Sequence, residues 1–195
     1  MNLQIKFIAA IVMVSLVSCG PDKNIYRTPQ GGFRLKSPKG YPYYKKNYTP
    51  TDTLLIDTNA IYVRQKNGFQ IFARGREGRL DTVPFPVIYY RFYSKGRVLK
   101  VYPGDKDIDS TVNDTGIGHA GSYVVRNGKL KMDIVNSNQT DFEYGYFLNG
   151  DIIIFNETPE TFNGSYTLVK YFSKRDTTRW AKVKVKNLKP VNLTW

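Results

Sequence analysis

The chain has 195 residues with one cysteine and one histidine, and 29 Lys and Arg against 16 Asp and Glu give a formal net charge of +13. One cysteine excludes an intramolecular disulfide framework, and one histidine, His119, excludes histidine-rich metal sites. The length suits a single domain, the 14% aromatic content beside many Val and Ile favours strands over helices, and the positive excess attracts anions at long range without specifying a fold.

Met1 to Lys6 carries one positive charge and leads into the apolar run Phe7 to Val17. That run of about 11 residues fits a signal-peptide core and falls short of the ~20 a spanning helix needs. It predicts a signal peptide over residues 1–18. Leu16-Val17-Ser18-Cys19 resembles the lipobox of bacterial lipoproteins. The resemblance implies cleavage before Cys19, lipidation of its sulfur and attachment to a membrane, which two or more acyl chains make stable. Gly20 stands where some diderm bacteria place a retention aspartate, so the resemblance points to the outer membrane. An ordinary secretory signal is the plain alternative. The polyanions available there are lipid headgroups, lipopolysaccharide phosphates and acidic glycans; nucleic acid is not expected as a partner. The charge also reads as a solvated surface.

Residues 19–53 contain Pro21, Pro29, Pro38, Pro42 and Pro50 and show no apolar period, which predicts a flexible tether. Tyr41, Tyr43 and Tyr44 around Pro42 are either a recognition patch or aromatics packed where the tether meets the domain.

The single domain expected over residues 54–195 is a series of apolar runs broken by Xaa-Gly turns, a strong hairpin signal. Asn67-Gly68 separates Ile61–Arg64 from Phe69–Phe72, and Lys95-Gly96 separates Val87–Tyr93 from Arg97–Tyr102. Asn127-Gly128 divides Ser122–Val125 from Lys129–Ile134, and Asn149-Gly150 divides Phe142–Leu148 from Asp151–Phe155. Runs over Ser165–Phe172 and Trp180–Leu188 follow. The prediction is an all-β antiparallel meander of about 8–10 strands, closing into a barrel because closure removes unpaired edges. A two-sheet sandwich is the alternative. The rhythm, ending in Tyr166-Thr167-Leu168-Val169-Lys170-Tyr171, resembles small lipocalin-like lipoproteins over about Asp52–Lys189, with Asn59-Ala60-Ile61-Tyr62 where their G-x-W signature falls.

Alternation places Leu130, Met132 and Ile134 inward, and Ala181, Val183 and Val185 inward against Lys182, Lys184 and Lys186. That basic stripe reads as an anion-binding row or as edge protection. Tyr89, Tyr144 and Tyr146 are candidate ligand-binding residues of a cavity, because tyrosine offers an apolar face and a polar tip; sheet packing explains them too.

Chemistry-bearing motifs are sparse. His119 lies in a Gly-rich stretch read as a solvated loop, and Gly116, Gly118 and Gly121 satisfy G-x-G-x-x-G with no helix expected after them. Asp133, Asp141, Glu143, Asp151 and Glu157 are the carboxylates a glycosidase would draw upon, with nothing pairing them across a cleft. Asp52-Thr53-Leu54, Asp81-Thr82-Val83, Asp109-Ser110-Thr111 and Asp176-Thr177-Thr178 resemble a short O-glycosylation pattern and also read as polar turns. No metal or cofactor site is expected. The functional expectation is a lipid-anchored, non-catalytic binding module for a small apolar or glycan ligand or an anionic envelope component. The alternatives are an accessory subunit of an envelope complex and, further out, a glycan- or lipid-acting hydrolase.

Overall fold

The computed structural model describes residues 24–41, 55–65, 69–74, 79–84, 86–156, 177–191 and 193. In chain order the strands are β1 (Ile25–Arg27), β2 (Phe33–Leu35), β3 (Ala60–Arg64), β4 (Phe69–Arg74), β5 (Arg79–Pro84), β6 (Tyr89–Tyr93), β7 (Arg97–Val101), β8 (His119–Arg126), β9 (Lys129–Val135), β10 (Thr140–Leu148), β11 (Asp151–Phe155) and β12 (Thr177–Lys184). One short helix, α1 (Ile108–Thr111), sits between β7 and β8, with the Asp107 carboxylate accepting from the Ser110 amide at its start.

The strands from β6 to β12 each pair antiparallel with the next, and β3 joins β6 on one edge and β12 on the other. These eight strands therefore form a closed antiparallel barrel, the architecture of lipocalin-like folds, and the sandwich alternative is set aside. Three of the expected hairpins form. Their turns hold Lys95 and Gly96, Asn127 and Gly128, and Asn149 and Gly150 at positive φ, the left-handed region that tight right-twisted hairpins demand and that Gly and Asn enter at least cost.

The hairpin expected across Asn67-Gly68 does not form between Ile61–Arg64 and Phe69–Phe72. Both edges of β3 are taken by β6 and β12, while β4 pairs with β5 as a separate two-stranded sheet inserted between β3 and β6. A turn signal marks where the chain reverses; which strand fills an edge is decided by closure, which leaves no edge of β3 open. The strand expected over Ser165–Phe172 lies outside the described residues.

Register separates two cores. Tyr62, Tyr90, Phe92, Val98, Tyr123, Val125, Leu130, Met132, Ile134, Phe147, Ile152, Ile154 and Trp180 come from all eight barrel strands and fill the interior. Their rings touch across it: Tyr62 meets Phe92 at 5.3 Å, Phe92 meets Tyr123 at 5.0 Å in T-shaped contacts, and Tyr90 lies 4.2 Å from Trp180. A second cluster, including Ile61, Tyr89, Tyr93, Leu99, Val101 and Ala120, covers the outer wall and takes in Leu35, Tyr41, Val112 and Leu188 from flanking segments.

Of the tether expected over residues 19–53, only residues 24–41 lie within the described structure, and there the chain is not a free tether. Residues 24–41 are docked on the barrel: β1 and β2 form a hairpin, and Phe33 pairs with His119 at the start of β8 in parallel register. Arg34, 2% exposed, donates to the carbonyls of Gly118 (2.6 Å), Ile117 (3.3 Å) and Thr115. The Tyr41 hydroxyl accepts from the Leu35 amide, and its ring is buried. No apolar period announces this segment because a few anchors hold it, each apolar one contributing about 1.5–3 kcal/mol of burial.

Candidate functional site

The two ends of the barrel differ. One carries the tight turns at Lys95-Gly96, Asn127-Gly128 and Asn149-Gly150, together with the segment entering β3 and the segment leaving β12. At the other lie the end of β3 and the start of β6, between which β4 and β5 are inserted, the segment with α1 between Val101 and His119, the Asn136–Gln139 turn, and the strand ends Phe155 and Thr177. Long connections over a rigid barrel are where binding residues concentrate.

Under that end the interior turns polar. Lys100 pairs in register with Tyr90 on β6 and His119 on β8, so all three share the inward face with Val98. Glu143 on β10 faces inward as the register partner of Met132. Lys100 Nζ lies 2.5 Å from Glu143 Oε1, and the Tyr90 hydroxyl donates to Glu143 Oε2. Neither β6 nor β7 is hydrogen-bonded to β10, so these contacts cross the barrel.

Burial draws the Lys100 ammonium down, but the Glu143 carboxylate and the Tyr102 phenol outweigh it and hold it above its ordinary value. Burial, then the Glu143 charge, pushes the Tyr90 phenol well up. Tyr102 continues the inward series beyond β7 and is 44% exposed, with the ammonium 5.9 Å from its ring centre. His119 stacks between Tyr102 at 5.0 Å and Phe33 at 5.1 Å. Its imidazole is pushed down to about 4 by burial and by the charges of Lys100 and Arg34, so it is neutral at pH 7. Beside these rings opens a pocket of about 160 Å³ lined by Gln30, Tyr102, Lys106, Thr111 and His119.

The structure does not bring Tyr89, Tyr144 and Tyr146 together inside the barrel. Tyr89 is register partner to Val101 and Val63 and lies in the outer cluster, its hydroxyl 3.2 Å from Thr111 Oγ1. Tyr144 and Tyr146 pair with Lys131 and Lys129 and face outward. The Lys131 ammonium sits 5.3 Å over the Tyr144 ring, and the Tyr146 ring lies 5.9 Å from Phe155. In β10 the inward series is Asp141, Glu143, Gly145 and Phe147, so Tyr144 and Tyr146 lie on the opposite face.

The stripe of Lys182, Lys184 and Lys186 is exposed. Because Trp180 shares the inward face, Lys182 and Lys184 follow on it where β12 runs out past the tight-turn end, and Val183 lies on the outer face instead. β12 pairs with β11 through Thr177–Trp180 and with β3 through Trp180–Lys184, so Lys182 and Lys184 have a ladder partner on one side only, as edge protection expects. Lys182 Nζ is 3.9 Å from Asp57 and its amide donates to Asp151. Cys19 and the lipobox lie outside the described residues, as does Glu157.

His119 opens β8 rather than floating in a loop. The Gly116 and Gly118 carbonyls accept from Thr28 and Arg34, and a Cβ at Gly121 would overlap the Asp133 carbonyl, so close backbone approach explains these glycines. Asp141 accepts from Asn136 and Gln139, and Asp151 from Arg179 and the Lys182 amide. Asp133 is buried on the outer wall with Ser122. In Asp109-Ser110-Thr111 the Thr111 side chain is buried against Tyr89, while Ser110, at the second position where all four patterns carry a hydroxyl, is exposed. Among the described residues no cluster of three or more His, Cys, Asp or Glu could hold a metal, and no helix is long and apolar enough to cross a membrane.

Lys100 and Tyr102 are the candidate-site residues that pattern reading missed, and Glu143 was singled out only among the carboxylates of a glycosidase. The signal available was a lysine interrupting the apolar run Val98–Val101 and a glutamate in the inward series of β10. Compared with known proteins, the chain matches no family model, no curated protein and no solved structure.

Proposed function

We propose that the protein is an exported lipoprotein, anchored through Cys19, whose barrel is a non-catalytic module binding a hydroxyl-rich ligand such as a glycan residue at its long-loop end. The observation that carries this reading is the Lys100–Glu143–Tyr90 cluster set across the barrel beneath the half-exposed ring of Tyr102. Taking both charges from water costs several kcal/mol per ion, and apolar side chains of similar volume fill such space at equal or better stability. Their retention is therefore assigned to recognition. A carboxylate accepts at about four positions and an ammonium donates at three, so after their mutual contact both retain capacity for ligand hydroxyls. Tyr102 supplies the apolar platform and the neutral His119 a further donor or acceptor.

The filled interior favours this surface site over a deep apolar cavity of the kind open barrels provide. At about 160 Å³ the pocket is below the usual 300–1,000 Å³ of ligand sites, which suits one unit of a larger molecule. The test is equilibrium binding of the detergent-extracted chain to peptidoglycan fragments and lipopolysaccharide core oligosaccharides. Tyr102→Ala, which leaves the barrel core intact, is expected to weaken the productive pairing at least tenfold. Absence of any glycan binding, or binding unaffected by that change, rejects the reading.

A further inference from the structure

A second cleft, of about 410 Å³, opens on the outer wall towards the tight-turn end, lined by Thr58, Asn59, Arg91, Tyr93, Ser94 and the C-terminal residues Pro190 and Val191. It shares none of its lining with the glycan pocket. Its size falls within the range of small-molecule sites.

Arg91 is 2% exposed and clamped by neutral acceptors. Nη1 donates to the Val112 carbonyl and, at 3.3 Å, to Asn113 Oδ1; Nη2 donates to the Lys189 carbonyl. Nε has no acceptor, and no carboxylate among the described residues pairs with this guanidinium. Tyr93, 4% exposed, has a buried hydroxyl with no partner, and the guanidinium carbon sits 4.8 Å from its ring centre. Two orphaned donors and one uncompensated buried positive charge thus belong to side chains of a single cleft. Nearly all buried polar groups in folded proteins are paired, so a cluster of exceptions asks for a missing partner.

The geometry points to a binding site for a small carboxylic acid. Its carboxylate would answer the Arg91 charge, the Arg91 Nε–H and the Tyr93 O–H, and its short apolar tail would lie against Pro190 and Val191. An anion is selected over a neutral acceptor because the charge is held in place by partners that cannot neutralise it. The C-terminal segment that forms the cleft wall is held by the Asn113 side chain, which accepts from the Lys189 amide and donates to the Asn187 carbonyl, by Arg91, and by Leu188, Val191 and Leu193 packed on the outer cluster.

The experiment is calorimetric and thermal titration of the full chain, extracted in detergent, with butyrate and with its neutral counterpart butyramide. Saturable binding and a rise in melting temperature are expected for butyrate and not for butyramide. Tyr93→Phe removes only the orphaned hydroxyl, so it should weaken butyrate about five- to tenfold, the equivalent of one hydrogen bond, without lowering the melting temperature of the ligand-free protein. Val191→Trp, which fills the cleft from a partly buried position on its wall, should abolish binding. Equal response to butyrate and butyramide, no saturable response, or unchanged butyrate affinity in both variants overturns the site. These results are independent of glycan binding at the other end.

Discussion

Replacing Asp133 with Asn should reverse how stability depends on pH. Asp133 is 0% exposed on the outer wall, where Oδ1 accepts from the amide and hydroxyl of Ser122 and Oδ2 has no partner. The charged groups and phenol around it are Arg97, Lys131 and Tyr41. Burial outweighs the Ser122 hydrogen bonds and the Arg97 charge and pushes the carboxyl up to about 7 from an ordinary 3.8. Between those values the folded chain holds a proton that the unfolded chain releases, so stability falls as pH rises through the window. About three units at 1.36 kcal/mol each place the cost by pH 8 on the order of 4 kcal/mol, an upper bound. Asn is isosteric with the protonated acid, keeps Oδ1 for Ser122 and carries no charge. Urea unfolding at pH 4, 6 and 8 should show Asp133→Asn close to wild type at pH 4 and more stable by up to about 4 kcal/mol at pH 8. A variant that loses stability relative to wild type as pH rises, or a pH-independent difference, refutes the assignment of Asp133 as a buried, protonated acid.

His119 gives the opposite slope. Its folded-state value of about 4 lies below the ordinary 6.5, so wild type should lose stability relative to His119→Gln as pH falls from 6.5 towards 4, readable in the same titration. Glu143→Gln leaves the Lys100 ammonium without its carboxylate and should cost about 3 kcal/mol in urea unfolding, whereas replacing both with apolar residues and Tyr90 with Phe, so that no hydroxyl is orphaned, should be near neutral in stability while removing glycan binding. Trp180→Ala empties the interior beside Tyr90 and should cost about 3–5 kcal/mol by thermal or chemical unfolding. Mass spectrometry of the membrane-extracted protein should find the amino terminus at Cys19 with fatty acyl mass attached; an intact Met1 or an unmodified thiol counts against the anchor.

The barrel was readable because it rests on local chemistry. Asn127-Gly128, Asn149-Gly150 and Lys95-Gly96 set the hairpins, and alternation in Lys129–Ile134 set the inward face correctly. Partner choice was not readable at Asn67-Gly68, since ring closure between β3 and β12 is a contact of long sequence separation with no local signature. Parity failed at Lys182–Lys186, because the strand runs past the barrel rim, where the inward face opens to water and accepts lysine. The docked segment with Arg34 and Tyr41 was hidden for a related reason: its partners are backbone carbonyls of Thr115–Gly118, invisible in side-chain pattern.

The polar end of the barrel was hidden by dispersion. Tyr90 and Lys100 are register neighbours on the β6–β7 hairpin, but Glu143 is far from both in the chain and meets them only across the closed barrel. Tyr144 and Tyr146 face outward, while the inward face of the same strand carries Asp141, Glu143 and Gly145.

The most direct measurement is amide hydrogen exchange of the acylated protein with and without the tightest-binding envelope glycan. Added protection should concentrate around Gln30–Gly31, Tyr102–His119 and Thr140–Glu143, leaving the turns at Lys95-Gly96, Asn127-Gly128 and Asn149-Gly150 unchanged. Protection confined to those turns, or none at saturating glycan, would contradict a recognition site at the long-loop end.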